Sequence, residues 1–394
     1  MHRRWVILAV LFVARTAMGF QYQSVASSAP LLLRDLHVGF AEIGTLIGLY
    51  HISGVVLSLP GGLIIRRLGD KRLCALGLSL MAGGGLVMAY SDSFAVAFAG
   101  RLCSGMGATL FNLVITKMTA DWFARREIVL AMAVILSTWP FGIALGLFSE
   151  PRIAAAFGWH SVMLLAAGFC LLSLLMVTLF YRAPAQDSEV VQGAPQGFGL
   201  PPWRVLAPVI ATGLMWGSFN AGVVTYFSFV PSFLADARGM TMADAGALTS
   251  LALWIGMLSI PFGGFVVQRI GQPIVTVVVF CTLASAALAL VVGGAPPFIA
   301  CIVFGLAIGP PPGVITSLPA RVLAPEQRAA GFGVFYTCHF LLQASGPAVG
   351  GWIHDVGGSG ASVVFGAAMF LVPLPLLVVF QLLTARLRVV VGAA

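Results

Sequence analysis

Apolar stretches of about 20 residues, each closed by a short polar turn, follow one another along almost the whole chain. A helix rises about 1.5 Å per residue, so a stretch of that length crosses the roughly 30 Å hydrocarbon core of a bilayer. The pattern predicts twelve spanning helices, near 5–31, 42–66, 72–90, 94–117, 128–148, 159–181, 204–233, 243–268, 273–293, 297–317, 328–353 and 361–384. One polar stretch interrupts the series between helices six and seven. It runs from Ala183 to Pro202 and carries Asp187, Glu189 and four prolines, the composition of a flexible linker. The chain is therefore expected to be an all-α membrane protein with an N-terminal six-helix half at 1–182, a linker at 183–203 and a C-terminal six-helix half at 204–394.

The two halves repeat each other. Shifting the sequence by 202 residues places Gly61, Gly62, Arg67 and Gly69 on Gly263, Gly264, Arg269 and Gly271, pairs Gly44 with Gly246, and sets Glu42 opposite Asp244. Each half thus carries the same turn between its second and third helices, the signature of an internal structural repeat.

Composition removes the soluble classes. Of 394 residues, 59% are hydrophobic and only 9% charged, with a mean hydropathy of +1.01. Cys74, Cys103, Cys170, Cys281, Cys301 and Cys338 all fall in apolar segments without metal-ligand spacing and read as buried packing residues. The formal charge of +8 does not point to nucleic acid, because the basic residues come in small clusters at segment ends. With the N-terminus inside, the cytoplasmic segments collect sixteen Lys or Arg, among them Arg3, Arg4, Arg125, Arg126, Arg182, Arg204, Arg321, Arg328, Arg386 and Arg388. The external loops then hold only Arg34, Arg152 and Arg238. That asymmetry predicts cytoplasmic termini in a cell (inner) membrane. The first apolar stretch runs on through Pro30 without a small-residue cleavage site, so it reads as a spanning helix rather than a leader.

The turn after helix two, Ser58 to Arg72, carries Gly62, Arg67, Gly69, Lys71 and Arg72. With twelve helices arranged six plus six, it resembles the major facilitator superfamily of secondary transporters, whose turn reads Gly-x-x-x-Asp-Arg-x-Gly-Arg/Lys-Arg/Lys. Two positions depart from that pattern: Arg66 stands where the family has Asp, and Asp70 takes an Arg/Lys place. In the family that Asp latches the closed inner gate. Asp70, at the start of helix three, is the candidate substitute, since a carboxylate is favoured at a helix N-terminus. Arg101, Gly105 and Gly107 in helix four look like the family's Arg-x-x-x-Gly-x-Gly. The run from Lys117 through Asp121 to Glu127 is similar to the loop of cyanate-permease-like small-anion porters. The drug-antiporter signature Gly-Pro-x-x-Gly-Gly is missing from helix five and occurs in helix eleven, from Gly346 to Gly351, where it marks close packing.

A charge deep in a bilayer costs several kcal/mol, about 3 on insertion scales, so each one must face protein or a water-filled cavity. Arg15 and Arg101 are the two such charges. At 100° per residue, Arg15 shares a face with Gly19, Tyr22 and Ala26, and Arg101 with Gly105, Ala108 and Asn112. The resemblance implies that helices one, four, seven and ten line the central cavity, so both stripes are expected to point there. Each arginine also has a second reading. Arg101 could be a packing residue bonding backbone carbonyls in its own half, and Arg15 could snorkel or pair with a loop acid. Tyr22, Gln21 and Gln23 are expected to line the cavity. Tyr336, His339 and Gln343 share a face of helix eleven, and Trp216 sits one turn from Asn220 in helix seven; His51 and Trp254 read equally as interhelical glue. Pro311 lies in a triple proline, Pro310 to Pro312, expected to hinge helix ten.

The candidate substrate-binding set is therefore Arg15, Tyr22, Arg101, Asn112, Asn220, Tyr336, His339 and Gln343. The gating set is Gly62, Arg66, Arg67, Gly69, Asp70, Arg269 and Pro311. All thirteen Asp and Glu, Glu150 among them, are expected in loops or at helix ends, leaving no mid-membrane carboxylate. A cavity with arginine and no acid selects anions and repels cations. The function expected is secondary transport of a small organic or inorganic anion by alternating access, as a monomer in the lipid bilayer, with a proton or counter-anion as coupling partner. The proton is expected to travel with the substrate or on His339. No cofactor and no metal is expected. Efflux of drugs or other apolar compounds on the same fold is the second reading, resting on the 11% aromatic content. An enzyme is not expected, since neither a metal cluster nor a nucleophile with a base at usable spacing is present.

Overall fold

The computed structural model describes residues 2–58, 60–123, 127–182, 200–324 and 327–392, and its ordered elements are helical. The spans, in chain order, are α1 (His2–Ser27), α2 (Phe40–Leu57, continued as Gly61–Leu68), α3 (Asp70–Ala89), α4 (Phe94–Phe123), α5 (Ile128–Phe157) and α6 (Trp159–Phe180). The second series is α7 (Trp203–Arg238), α8 (Met242–Ile270), α9 (Pro273–Val292), α10 (Pro297–Ala307 and Pro310–Ser317), α11 (Arg328–Gly357) and α12 (Ser359–Leu371 and Pro373–Gly392). A short helix, Ala29–Asp35, extends α1. Eleven of these spans are long and apolar enough to cross a membrane by length and composition. The twelfth, α11, carries Tyr336, His339 and Gln343 and several glycines, which dilute its hydropathy.

Packing repeats with the sequence. In the first half α1 lies against α5 and α6, α2 against α4, and α3 against α4 and α6. Adding six to each number gives the pairs of the second half: α7 with α11 and α12, α8 with α10, and α9 with α10 and α12. The halves meet through two equivalent crossings, α2 with α11 and α8 with α5. The matched turns both place a glycine at positive φ, Gly69 at 75° and Gly271 at 69°, though they part in ψ, 158° against 13°. Both sit in the left-handed region that only glycine adopts at little cost, so both end one span and begin the next.

At the end opposite the chain termini the crossings are shut. Backbone meets backbone there without intervening side chains: Gly44 faces the Pro347 carbonyl, Gly48 the Ala344 carbonyl and Gly351 the Phe40 carbonyl. Gly246, the repeat partner of Gly44, meets the Leu147 carbonyl at the second crossing, where a Cβ would come to 2.5 Å. Polar caps tie the same end. Asp355 of α11 accepts from the Phe40 and Ala41 amides at 2.9 and 2.8 Å, placing a carboxylate on the N-terminus of α2 in the other half. Glu42 accepts from the Gly39 amide at 3.0 Å and Thr241 accepts from the Asp244 amide at 3.1 Å, so the two acids paired by the repeat both sit at helix starts.

Two expectations change. Helix five does not stop near 148: it continues through Glu150, Pro151 and Arg152 to Phe157 and ends at Gly158, φ 79°. Glu150 is consequently fully buried rather than at a helix end. Helix two is interrupted between Leu57 and Gly61. Helix ten breaks at 308–309 ahead of Pro310, as the triple proline predicts, because proline lacks the N–H that would continue the ladder. Most of the proposed linker, 183–199, lies outside the described residues.

Candidate functional site

Between the halves lies a cavity of about 510 Å³, within the range that holds a small-molecule ligand. Its lining comes from α1 (Arg15), α2 (Tyr50, His51), α4 (Thr109, Asn112), α5 (Trp139), α7 (Trp216, Asn220), α10 (Pro312, Thr316) and α11 (Tyr336, His339, Phe340, Gln343). These positions fall near the middle of their helices or toward the ends nearest the termini, so the cavity occupies the side of the molecule away from the glycine crossings. Tyr336 is 41% exposed on that side.

Arg15 supplies the charge in this lining. It is 8% exposed, and its Nε and Nη1 find no hydrogen-bond partner among the described residues. Aromatic rings make the walls: Trp216 stacks on His339 at 5.7 Å, His339 packs against Phe340 at 4.8 Å, and Phe340 lies at 6.0 Å from His51. The Asn220 amide donates to the Trp216 carbonyl at 2.8 Å, leaving its carbonyl oxygen for the cavity. His339 Nδ1, His51 Nε2 and Gln343 Oε1 are buried without partners among the described residues. A cation with free N–H groups among orienting amides and imidazoles is a site for a carboxylate or a similar anion.

The roof is aromatic. Tyr22 lies 4.9 Å from His51, 5.2 Å from Trp139, 5.4 Å from Tyr50 and 5.9 Å from Phe227 of the other half. Tyr22 does not line the cavity, and neither do Gln21 and Gln23, which sit beside it inside protein. Gln21 donates to the Met81 carbonyl at 2.7 Å and accepts from Tyr50 Oη at 3.2 Å, tying α1 to α2 and α3.

Arg101 is also placed elsewhere. It lies beyond this roof, 1% exposed, and donates from Nε to Leu46 O at 3.0 Å, from Nη1 to Gln21 O at 2.9 Å and from Nη2 to Tyr22 O at 2.6 Å. Its guanidinium stands 4.5 Å over the Tyr50 ring. All three nitrogens are occupied by backbone of the same half, which is the packing reading of this residue. Arg101→Ala would strand three buried carbonyls. At the ~0.6 kcal/mol that intramembrane hydrogen bonds average, the loss is about 2 kcal/mol, and more if the carbonyls stay dry. The expected result is a lowered unfolding midpoint in detergent. Arg101→Lys is expected to recover little of it, because one ammonium cannot replace a fork spread over three carbonyls.

Of the gating set, Asp70 opens α3 and accepts from Lys117 Nζ at 2.6 Å, which also reaches Asp121 at 2.8 Å. This is a contact within the first half. Arg67 and Arg269 are exposed, and Gly69 forms the turn. Gly62 and Arg66 belong to the helix Gly61–Leu68, but their surroundings lie outside the described residues, as do Arg125 and Arg126. Pro311 is buried; its neighbour Pro312 is the one on the cavity wall. The cavity residues missing from the sequence-based set include Tyr50, His51, Thr109, Trp139, Trp216, Thr316 and Phe340. Their signal was weak, because an aromatic or hydroxyl side chain in a span reads as packing.

Comparison with known proteins agrees with this architecture. The family model of the Major Facilitator Superfamily matches residues 11–347. The hexuronate transporter of Bacillus subtilis is 24% identical over 91% of this chain and 90% of its own length. The 4-hydroxybenzoate transporter PcaK of Acinetobacter baylyi is 23% identical over 83% and 80%, and the nitrite extrusion protein of Bacillus subtilis 23% over 66% and 64%. Among solved structures, the nucleoside transporter NupG superposes with a TM-score of 0.76 at 16% identity, covering 97% of this chain and 100% of that one, a likeness of fold. The chain belongs to the Major Facilitator Superfamily and is a multi-pass membrane transporter, not an enzyme.

Proposed function

We propose that the protein carries a small organic anion, a carboxylate in the first instance, by rocking two six-helix halves, 1–182 and 204–394, about the central cavity. One observation carries the reading: Arg15 is the charge on the cavity wall, with N–H groups unpartnered among the described residues. A buried guanidinium in that condition is costly until an anion docks on it. The relatives support the same class, since hexuronate, 4-hydroxybenzoate and nitrite are all anions. Flat walls built by Trp139, Trp216, His339 and Phe340 suit a planar carboxylate better than a bare ion. Drug efflux draws on the same aromatic walls, but a lone cation there repels the cationic compounds such exporters carry.

With the termini cytoplasmic, the orientation the basic loops favour, the structure is an inward-facing state whose outer end is closed. Asn112, Asn220 and Gln343 orient the substrate, and Tyr22 with Phe227 separates it from the outer side. The unit proposed is a monomer with one site.

The test is a thermal-shift screen of the purified protein against 4-hydroxybenzoate, glucuronate, nitrite and ethidium. An anion at about 100 times its Kd should add close to 2.7 kcal/mol to the folded state. Stabilisation by a carboxylate that disappears in Arg15→Gln supports the reading. Stabilisation by ethidium that survives the substitution replaces it with drug efflux.

A further inference from the structure

We propose that Glu150 is a proton-binding site, separate from the substrate cavity, that is occupied when the end of the molecule opposite the termini closes and emptied when that end opens. The inference rests on the alternating-access reading above and adds to it a proton taken up as that end closes.

Glu150 lies on α5 close to the crossing with α8, where Gly246 abuts Leu147 and Pro151 on either side of it. It is 0% exposed. One turn back, Gly146 leaves room that a methyl group would fill: a Cβ there would stand 3.1 Å from the Glu150 carboxyl carbon and 2.9 Å from Gln23 Cβ of α1. Gln23 in turn reaches across the interface, donating to Phe227 O of α7 at 3.4 Å and to Ser27 Oγ at 3.2 Å. The carboxyl is therefore enclosed by both halves and lies on the far side of the Tyr22 roof from Arg15.

Neither carboxyl oxygen has a hydrogen-bonding partner among the described residues. The groups that face it are few. From α1 come Gln23 and the Ser27 hydroxyl, which lies beside the carboxyl without full hydrogen-bond geometry. From α4 comes Arg101, the one ionic group that acts on it, whose three nitrogens are already committed to Leu46, Gln21 and Tyr22. The other helices packed on α5, α6 and α8, bring no ionisable group that acts on it. An ionised carboxylate enclosed with no ion-pair partner and only the Ser27 hydroxyl beside it is strongly disfavoured. The closed end thus favours the carboxylic acid over the anion.

Opening the crossing of α5 and α8 would hydrate the group, and the O–H bond would then break with its proton passing to water. Closing the end again requires the proton back. One proton is taken up per closure and returned to the same water on opening, so the site makes closure of that end pH-dependent without itself carrying charge across. Linkage makes the converse statement: raising the pH favours the state open at that end, by up to about tenfold in the closed-to-open ratio per pH unit for one proton.

The experiment uses the full chain with Cys103→Ala and Cys338→Ala, the four other cysteines being buried. Spin labels placed through Ser93→Cys and Ala237→Cys, exposed positions at the closed end of opposite halves, report its width between pH 5 and 9. Wild type should pass from a short to a long distance as the pH rises. Glu150→Gln, a neutral isostere of the acid, should stay short throughout, and Glu150→Asp should restore the pH response. A pH response retained in Glu150→Gln, or none in wild type, overturns the assignment. Gly48→Leu in the same labelled background separates the two levels of failure. If it widens the distance while pH does not, alternating access stands and Glu150 is not its proton site. If neither widens it, both readings fall.

Discussion

Arg15→Gln should reduce substrate uptake into proteoliposomes by about 100-fold while leaving the protein folded and correctly sized. The magnitude follows from the loss of one charge-assisted pair, about 1.5–3 kcal/mol or roughly 10–150-fold in affinity. The direction follows from the cavity itself. Arg15 faces Tyr336 and a set of amides and imidazoles, none of which carries a countercharge. Its desolvation is unrelieved in this state, and a bound carboxylate relieves it, so the guanidinium contributes to binding more than a solvated surface arginine could. Glutamine keeps a donor at about the level of Nε and removes the charge. Arg15→Lys should retain part of the uptake with a raised KM, since an ammonium preserves the potential but not the two parallel N–H bonds. Full uptake by Arg15→Gln would remove the anion site.

The comparison between Arg15 and Arg101 shows what the sequence discloses about this site and what it withholds. Residue type and helix face were both readable: Arg101 and Asn112 lie eleven residues apart, about three turns, and so share one stripe. Depth was not. Eleven residues span about 16 Å along the axis, and the aromatic roof of Tyr22, Tyr50 and Trp139 falls between the two, leaving Asn112 in the cavity and Arg101 among backbone carbonyls beyond it. The same geometry puts Arg15 below the roof and Tyr22, seven residues on, within it. A helical wheel carries angle without height, and the height of the roof depends on which rings meet from four helices.

Glu150 was hidden for a different reason. The run Ser149-Glu150-Pro151-Arg152 combines two charges with a proline and reads as an external turn. In the structure the helix passes through it, because proline removes a single hydrogen bond and the packing of α5 on α1 and α8 holds the rest. The repeat, by contrast, was fully legible. The offset of 202 that pairs Gly44 with Gly246 reappears as two equivalent crossings, since glycine is required wherever two helix backbones touch.

Those crossings yield the second large effect. Gly48→Leu should open the end opposite the termini and lower transport by about tenfold or more. Two terms compete. Leucine in place of glycine in a helix interior gains up to about 1 kcal/mol in propensity, which would stabilise α2 in any state. In the closed state, however, the nearest atoms to the new Cβ all belong to the Ala344 backbone, whose carbonyl oxygen already lies inside contact distance. Backbone cannot rotate away as a side chain can, so α2 and α11 must separate, at a cost of about 1–3 kcal/mol or more for an overpacked contact. The propensity gain is common to both states and cancels; the clash belongs to one. A difference of 1–3 kcal/mol moves the ratio of the two states by roughly 5–150-fold toward the form open at that end. Label distances across the α2 and α11 ends should lengthen accordingly, with thermal stability unchanged or raised. Gly246→Leu, its repeat partner at the crossing of α8 with α5, should act in the same direction. If the distance stays short in both variants, the glycine contacts do not set the closed end and the halves do not move about these crossings.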